Sequence, residues 1–266
     1  MGWSRIINSP AGRAIVTGAS SGIGAACVKA LRSASWEVIA VARRADRLDA
    51  VAAETGCDTF VADVTQQADV DALVSHTQNL GAVDALINVA GGAIGVDFVA
   101  EADSDDWSTM MELNVVSVQR MVKAFLPALR AACSTRGVAD IVTISSTAAF
   151  ISYEGGGGYN AAKAGVHAAL GALRLELAGE PIRVVEVAPG MVKTEEFALN
   201  RLGGDAQKAE ALYEGVEAPL TAEDVADVVG YALHSPPHVN LDVIQMKPVA
   251  QAAQYKLHRG PLAPKL

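Results

Sequence analysis

Short runs of β-branched and other apolar residues alternate along the chain with longer stretches in which apolar positions recur every three or four residues. The runs at 13–17, 36–41, 59–62, 85–89, 141–145, 183–187 and 243–246 predict seven strands. The amphipathic stretches at 22–33, 45–55, 67–78, 105–132, 159–178 and 222–234 predict helices. Such an alternation of apolar strands and helices suits strands buried on both faces and predicts an α/β fold, a doubly wound parallel sheet with helices on both faces. In such a sheet the carboxyl ends of the strands gather on one edge. Gly18, Asp63, Asn88, Ser146 and Pro189 each follow a predicted strand and are expected to meet there.

Composition narrows the picture to one domain. A chain of 266 residues, 51% hydrophobic, buries an ample core without dividing. Within 1–266 the divisions expected are a short N-terminal extension at 1–12, a loop at 194–217 over the substrate, and a C-terminal tail at 248–266. No run of about 18 apolar residues predicts a membrane span, and Met1-Gly2-Trp3-Ser4-Arg5 lacks the apolar core of a signal peptide, so a cytoplasmic location is expected. A net charge of −9 disfavours nucleic acid and anionic membrane surfaces. Cys27, Cys57 and Cys133 are scattered and odd in number, which predicts reduced thiols. His234 and His238 stand at i and i+4, but Pro236-Pro237 between them predicts a loop, and no metal site is expected.

Two motifs carry the chemistry. Thr17-Gly18-Ala19-Ser20-Ser21-Gly22-Ile23-Gly24 joins the first predicted strand to the first helix. Glycines there allow positive φ and close backbone approach to a pyrophosphate, whose charge the helix N-terminus receives. Tyr159 and Lys163, at i and i+4, share one face of a helix, so an ammonium can stand near a phenol oxygen. A nearby ammonium favours phenolate and brings a pKa of roughly 10 toward useful proton exchange. Gly155-Gly156-Gly157-Gly158, directly before Tyr159, reads as a flexible turn at the site.

With these motifs in place the chain resembles the short-chain dehydrogenase/reductase superfamily, over nearly its whole length. The family's glycine pattern T-G-x-x-x-G-x-G is met by Thr17, Gly18, Gly22 and Gly24. The resemblance implies a Rossmann-like fold and hydride transfer between a nicotinamide cofactor and a carbonyl or secondary alcohol. It places Gly18, Ser20, Ser21, Gly22, Ile23 and Gly24 on the cofactor, Asp63 and Val64 on its adenine, and Asn88, Ala90 and Gly91 in the segment after the fourth strand. Val89 departs from the family's second asparagine there. Pro189, Gly190, Val192 and Thr194 match the P-G-x-x-x-T that grips the nicotinamide carboxamide. Asn114, Ser146, Tyr159 and Lys163 match the family's active site: Tyr159 as proton donor, Lys163 also on the nicotinamide ribose, Ser146 on the substrate oxygen, Asn114 holding a water in a proton relay. Ser145 is a neighbour, but the thirteen positions from Ser146 to Tyr159 select Ser146.

Family members that use NAD usually carry Asp at the position of Ala42, where this chain continues with Arg43-Arg44. A carboxylate repels a 2′-phosphate and guanidinium groups bind it, so NADP(H) is favoured over NAD(H). The last third of the chain lacks the glycine-rich ending common in the family and is similar to the NADP-dependent 3-hydroxy acid dehydrogenases that oxidise serine-like compounds, and less closely to the clavulanate dehydrogenase group. Arg201 is the candidate for a substrate carboxylate, with Tyr153 and Met191 as pocket walls. The expected partner is therefore a small-molecule alcohol or carbonyl, possibilities being a 3-hydroxy acid or an apolar ketone or aldehyde. A non-catalytic NADP-binding sensor or scaffold is the alternative outside enzymes. The resemblance also implies a homotetramer or homodimer that pairs the helices at 105–132 and 159–178; Ala161, Ala162, Ala164, Gly165, Ala168, Ala169, Gly171 and Ala172 permit close helix approach on the second.

Overall fold

Strands β1 (Arg13–Thr17), β2 (Glu37–Ala42), β3 (Asp58–Val61), β4 (Ala85–Asn88), β5 (Ala139–Ile144), β6 (Ile182–Pro189) and β7 (Val243–Met246) form one parallel sheet in the order β3-β2-β1-β4-β5-β6-β7. The computed structural model describes residues 11–78 and 80–264. The predicted extension at 1–12 lies outside these as far as residue 10, as do the last two residues of the tail. Every residue of β4, β5 and β6 is buried, which is why these strands read as mostly apolar runs rather than alternating ones; the buried charges Asp140 and Arg183 within them pair with each other at 2.7 Å. The fold is the Rossmann-like doubly wound sheet expected.

Helices cover both faces. Helices α1 (Gly22–Ser33), α2 (Ala45–Thr55) and α9 (Ala222–His234) enclose one core with Val16, Ala40, Ile87 and Val187 of the sheet. Helices α3 (Gln67–Gln78), α5 (Ser117–Arg136) and α6 (Gly157–Glu176) enclose the other with Ile15, Ile39, Leu86 and Ile141. After β3 the chain returns to the opposite side of β1 to begin β4, so the connections leaving β1 and β4 diverge. That switch point opens a crevice at the carboxyl edge of the sheet.

Four predicted elements differ from the observed ones. The single helix expected at 105–132 is divided into α4 (Ser104–Met111), a π-helical turn (Glu112–Val116) and α5. A π turn inserts one extra residue without changing the apolar periodicity enough to be seen in sequence. The expected flexible turn at 155–158 is half helix, since Gly157 and Gly158 begin α6. A Cβ on Gly157 would strike Val99, and one on Gly158 would strike Met110, so these glycines let α6 approach α4 closely. The loop at 194–217 contains α7 (Phe197–Arg201) and α8 (Ala206–Ala211), and the tail folds back as a hairpin of β8 (Gln251–Ala253) and β9 (Lys256–Leu257). At the predicted loop between His234 and His238, α9 does end at His234, whose Nδ1 pairs with the Gly230 carbonyl at 2.7 Å. Among the described residues no helix is long and apolar enough to cross a membrane.

Candidate active site

The glycine turn after β1 is built by close backbone approach. Gly18 (φ +63°) and Gly22 (φ +49°) take left-handed conformations, and a Cβ on Gly24 would overlap the Gly18 carbonyl oxygen. The Thr17 hydroxyl accepts from the amides of Val89 and Ala90 at 3.0 and 3.1 Å, tying this turn to the segment after β4. Asn88, at the end of β4, donates to Thr143 of β5 at 3.4 Å. Thr194 stands over Gly22, 3.5 Å from where its Cβ would be. The stations predicted from strand ends thus lie around one crevice.

Beside this turn is an anion cradle. Ser21 is the N-cap of α1 but makes no capping bond; its hydroxyl donates instead to Glu196 Oε2 at 2.8 Å. Arg44 grips the same carboxylate with both terminal nitrogens, Nη1 to Oε1 at 2.7 Å and Nη2 to Oε2 at 2.8 Å. Arg44 Nη2 also reaches Ser20 Oγ at 2.9 Å and Ser21 Oγ at 3.1 Å. Arg43 and Arg44, expected to act together, diverge. Consecutive side chains on extended backbone point to opposite sides, so the Arg43 side chain is 73% exposed and 4.0 Å from Asp63. Asp63 in turn accepts from the Thr65 amide and hydroxyl at 2.9 and 2.7 Å. Burial raises its pKa, but the Thr65 bonds and the charges of Arg43 and Arg120 outweigh this and hold it below the ordinary value. Ser21 and Arg44 already hold a carboxylate, and Ser20 accepts from the same Arg44 nitrogen, so the donor set suits a phosphate monoester.

The acid-base residues meet at the ends of β5 and α6. Tyr159, Lys163 and His167 stand on one face of α6 at intervals of four residues. The Tyr159 phenol is buried, and the Ser146 hydroxyl near it donates to the Pro189 carbonyl at 3.4 Å. Burial raises the phenol's pKa strongly, the Ser146 hydroxyl and the Arg201 charge opposing and Tyr153 adding to the rise, so the phenol is protonated at neutral pH. Lys163 Nζ donates to the Ile144 carbonyl at 3.1 Å and lies 5.7 Å from the centre of the Tyr159 ring. Burial lowers its pKa to about 8, with Glu186 acting in the opposite sense. Asn114 sits in the π turn; its Oδ1 accepts from the Gly92 amide at 3.1 Å, and its Nδ2 donates to the carbonyls of Gly92 and Met110 at 2.9 and 2.8 Å. The side chain therefore clamps the segment after β4, and a Cβ on Gly91 would crowd both Asn114 and Lys163.

Several residues at the site were not picked out from sequence. Glu186 is fully buried in β6 and accepts from Ser145 at 2.5 Å, while its other oxygen pairs with His167 Nδ1 at 2.7 Å. A carboxylate inside a largely apolar parallel strand was the available signal, because such a group is buried only with partners. Gln251 accepts from the Met191 amide at 2.8 Å and Gln254 donates to Thr147 at 2.5 Å, so the tail hairpin braces the residues after β6 and β5. Val192 forms a bridge with Leu220, and the Gly190 amide donates to Met246 at 2.8 Å.

Arg201, at the end of α7, reaches back over the acid-base pair. It donates to Gly95 O at 3.2 Å, Tyr153 Oη at 3.0 Å and Gly155 O at 3.1 Å. Its guanidinium lies 5.8 Å from the Tyr159 ring centre. A small recess beside Tyr159 is lined by Ile94, Asp97, Asp106, Trp107, Met110 and the 155–158 glycines.

Known proteins are similar to this chain over most of its length. The model of the short chain dehydrogenase family matches residues 13–202. An uncharacterised oxidoreductase of Mycobacterium tuberculosis is 48% identical over 90% of this chain and 92% of its own length. Serine 3-dehydrogenase of Agrobacterium fabrum is 34% identical, covering 93% of this chain and 98% of the relative. Among solved structures, the closed form of a serine dehydrogenase complexed with NADP+ superposes with a TM-score of 0.84 at 34% identity, covering 93% of this chain and 99% of that one.

Proposed function

We propose, for a chain that belongs to the short-chain dehydrogenase family, that it interconverts a small 3-hydroxy acid and the corresponding 3-oxo compound, with Arg201 receiving the substrate's carboxylate. Membership makes the protein an oxidoreductase, and its relatives place it among those that use NADP(H). The bound cofactor supplies or accepts the hydride. The chain's own residues hold the oxygen and move the proton. In the direction of reduction Tyr159 gives its phenolic proton to the developing alkoxide, and Ser146 orients the same oxygen. Lys163, ionised below about pH 8, offsets the charge left on the phenol and takes the ribose hydroxyls of the cofactor. Asn114 acts by keeping the segment after β4 close to Lys163. Asp63 and Val64 bound the adenine side of the crevice, Arg44 with Ser20 and Ser21 receives the 2′-phosphate, and Pro189, Gly190, Val192 and Thr194 border the nicotinamide.

The observation that carries the substrate class is the placement of Arg201. Three of its N–H groups are engaged with Gly95, Tyr153 and Gly155. A guanidinium has about five, which leaves two for a carboxylate. Serine, the substrate named for the Agrobacterium relative, is itself a 3-hydroxy acid. The test compares kcat/KM for a 3-hydroxy acid and its methyl ester. The wild type is expected to prefer the acid by about tenfold, the worth of one charge-assisted contact, and Arg201→Gln to lose that preference. Equal turnover of acid and ester by the wild type would exclude the carboxylate role. It would favour a second reading, reduction of a ketone or aldehyde without a carboxylate.

A pH dependence follows from Lys163. Its ammonium is present below about pH 8 and is lost above it, so affinity for NADPH should fall as pH rises through that value. In Lys163→Met the affinity should be lower at pH 7 and flat across the same range. Calorimetric titration at several pH values measures both. Subunit pairing through α6 is part of the same reading, supported by Ala161, Ala164, Ala168, Ala169 and Ala172, which are exposed on that helix.

A further inference from the structure

Glu196 occupies the place where a cofactor phosphate would be received. Its side chain is 22% exposed, and its carboxylate is bonded by Arg44 at 2.7 and 2.8 Å and by Ser21 at 2.8 Å, with Arg47 at 4.0 Å. Arg44 holds its carboxyl below the ordinary glutamate range, so the group is an anion at neutral pH. Two anions cannot share one fork of donors. A phosphate monoester carries about −1.5 to −2 charges and three acceptor oxygens against the carboxylate's single charge and two oxygens, and so is the stronger claimant.

We infer that Glu196 is an internal competitor for the 2′-phosphate of NADP(H), and that entry of the phosphate detaches the start of the segment that carries Arg201. The inference rests on the reading of Ser20, Ser21 and Arg44 as the phosphate cradle. Glu196 immediately precedes α7, a helix of five residues. Phe197, its first residue, packs 5.8 Å from the Tyr159 ring, and Arg201, its last, is tied to Tyr153, Gly95 and Gly155. One short helix thus links the adenosine end of the crevice to the substrate recess. The carboxylate held by Arg44 latches the substrate cover in the absence of cofactor. Because linkage is reciprocal, anything that holds the cover down through Glu196 must weaken 2′-phosphate binding by the same factor.

The experiment uses the whole protein and two probes, adenosine 2′,5′-bisphosphate and 5′-AMP, titrated by calorimetry at one ionic strength. Replacing Glu196 with Gln keeps an acceptor of the same size and removes the charge, whereas Glu196→Ala removes both. Both variants are expected to bind adenosine 2′,5′-bisphosphate about tenfold more tightly than wild type, with 5′-AMP changed less than about twofold. Hydrogen exchange of the amides at 195–201 is expected to speed up when the bisphosphate saturates the wild type, and to be fast already in Glu196→Gln. Unchanged or weaker bisphosphate binding in both variants, or exchange at 195–201 unaffected by the probe, would overturn the inference. Arg44→Gln separates this from failure of the cradle itself: if that variant binds the bisphosphate as the wild type does, the cradle reading falls and the latch with it.

Discussion

Tyr159→Phe is expected to lose turnover by about 10²- to 10⁴-fold, the usual worth of a positioned acid-base group, while NADPH binding stays within a factor of about three. The ring is buried against Phe197 and beneath Arg201, and phenylalanine preserves that packing. What is removed is the phenolic oxygen near Ser146 that gives or takes the proton. Single-turnover rates with bound NADPH measure the chemical step apart from release. A variant within tenfold of wild type would mean that another group moves the proton. Lys163 cannot substitute readily, since its Nζ is turned to the Ile144 carbonyl.

Arg44→Gln is expected to weaken NADP(H) by about tenfold to a hundredfold, from the loss of charge-assisted contacts of roughly 1.5 to 3 kcal/mol, and to leave NAD(H) nearly unchanged. The larger effect belongs to Arg44 because its guanidinium lies against Ser20 and Ser21, whereas Arg43 is turned outward toward Asp63. Arg43→Gln should therefore cost less, through loss of long-range attraction that salt screens. Both cofactors titrated against wild type and the two variants at low and high salt supply the comparison. A wild type that binds NAD as tightly as NADP, or an Arg43 effect larger than the Arg44 effect, would contradict the assignment.

The fold was legible because its strands are apolar at nearly every position, and parallel strands buried on both faces leave that mark in any sequence. The bounds of α1, α2, α3 and α9 likewise follow from their helical periodicity. The π turn at Glu112–Val116 was not legible, because the apolar pattern continues through it and only the Asn114 contacts to Gly92 and Met110 mark its place. The strand-ending turn brought Gly18 to attention, helical spacing brought Tyr159 and Lys163, and resemblance to the family brought Asn114 and Ser146. The division of labour between Arg43 and Arg44 was hidden, as it depends on which way one extended residue turns. The Glu196–Arg44 contact was hidden too, because it joins segments 152 residues apart that share no local pattern. Glu195 and Glu196 look alike in sequence, and only the structure shows which of them enters the cradle.

The most direct test of hydride transfer from a 3-hydroxy acid follows an isotope. Wild-type protein is given NADP+ and serine or 3-hydroxypropanoate carrying two deuteriums at C3, and the NADPH formed is analysed by mass spectrometry. The account predicts one deuterium in every NADPH, and formation reduced by the factors given above in Tyr159→Phe. NADPH that carries no deuterium, or no NADPH from either acid under conditions where NADP+ is bound, would contradict it.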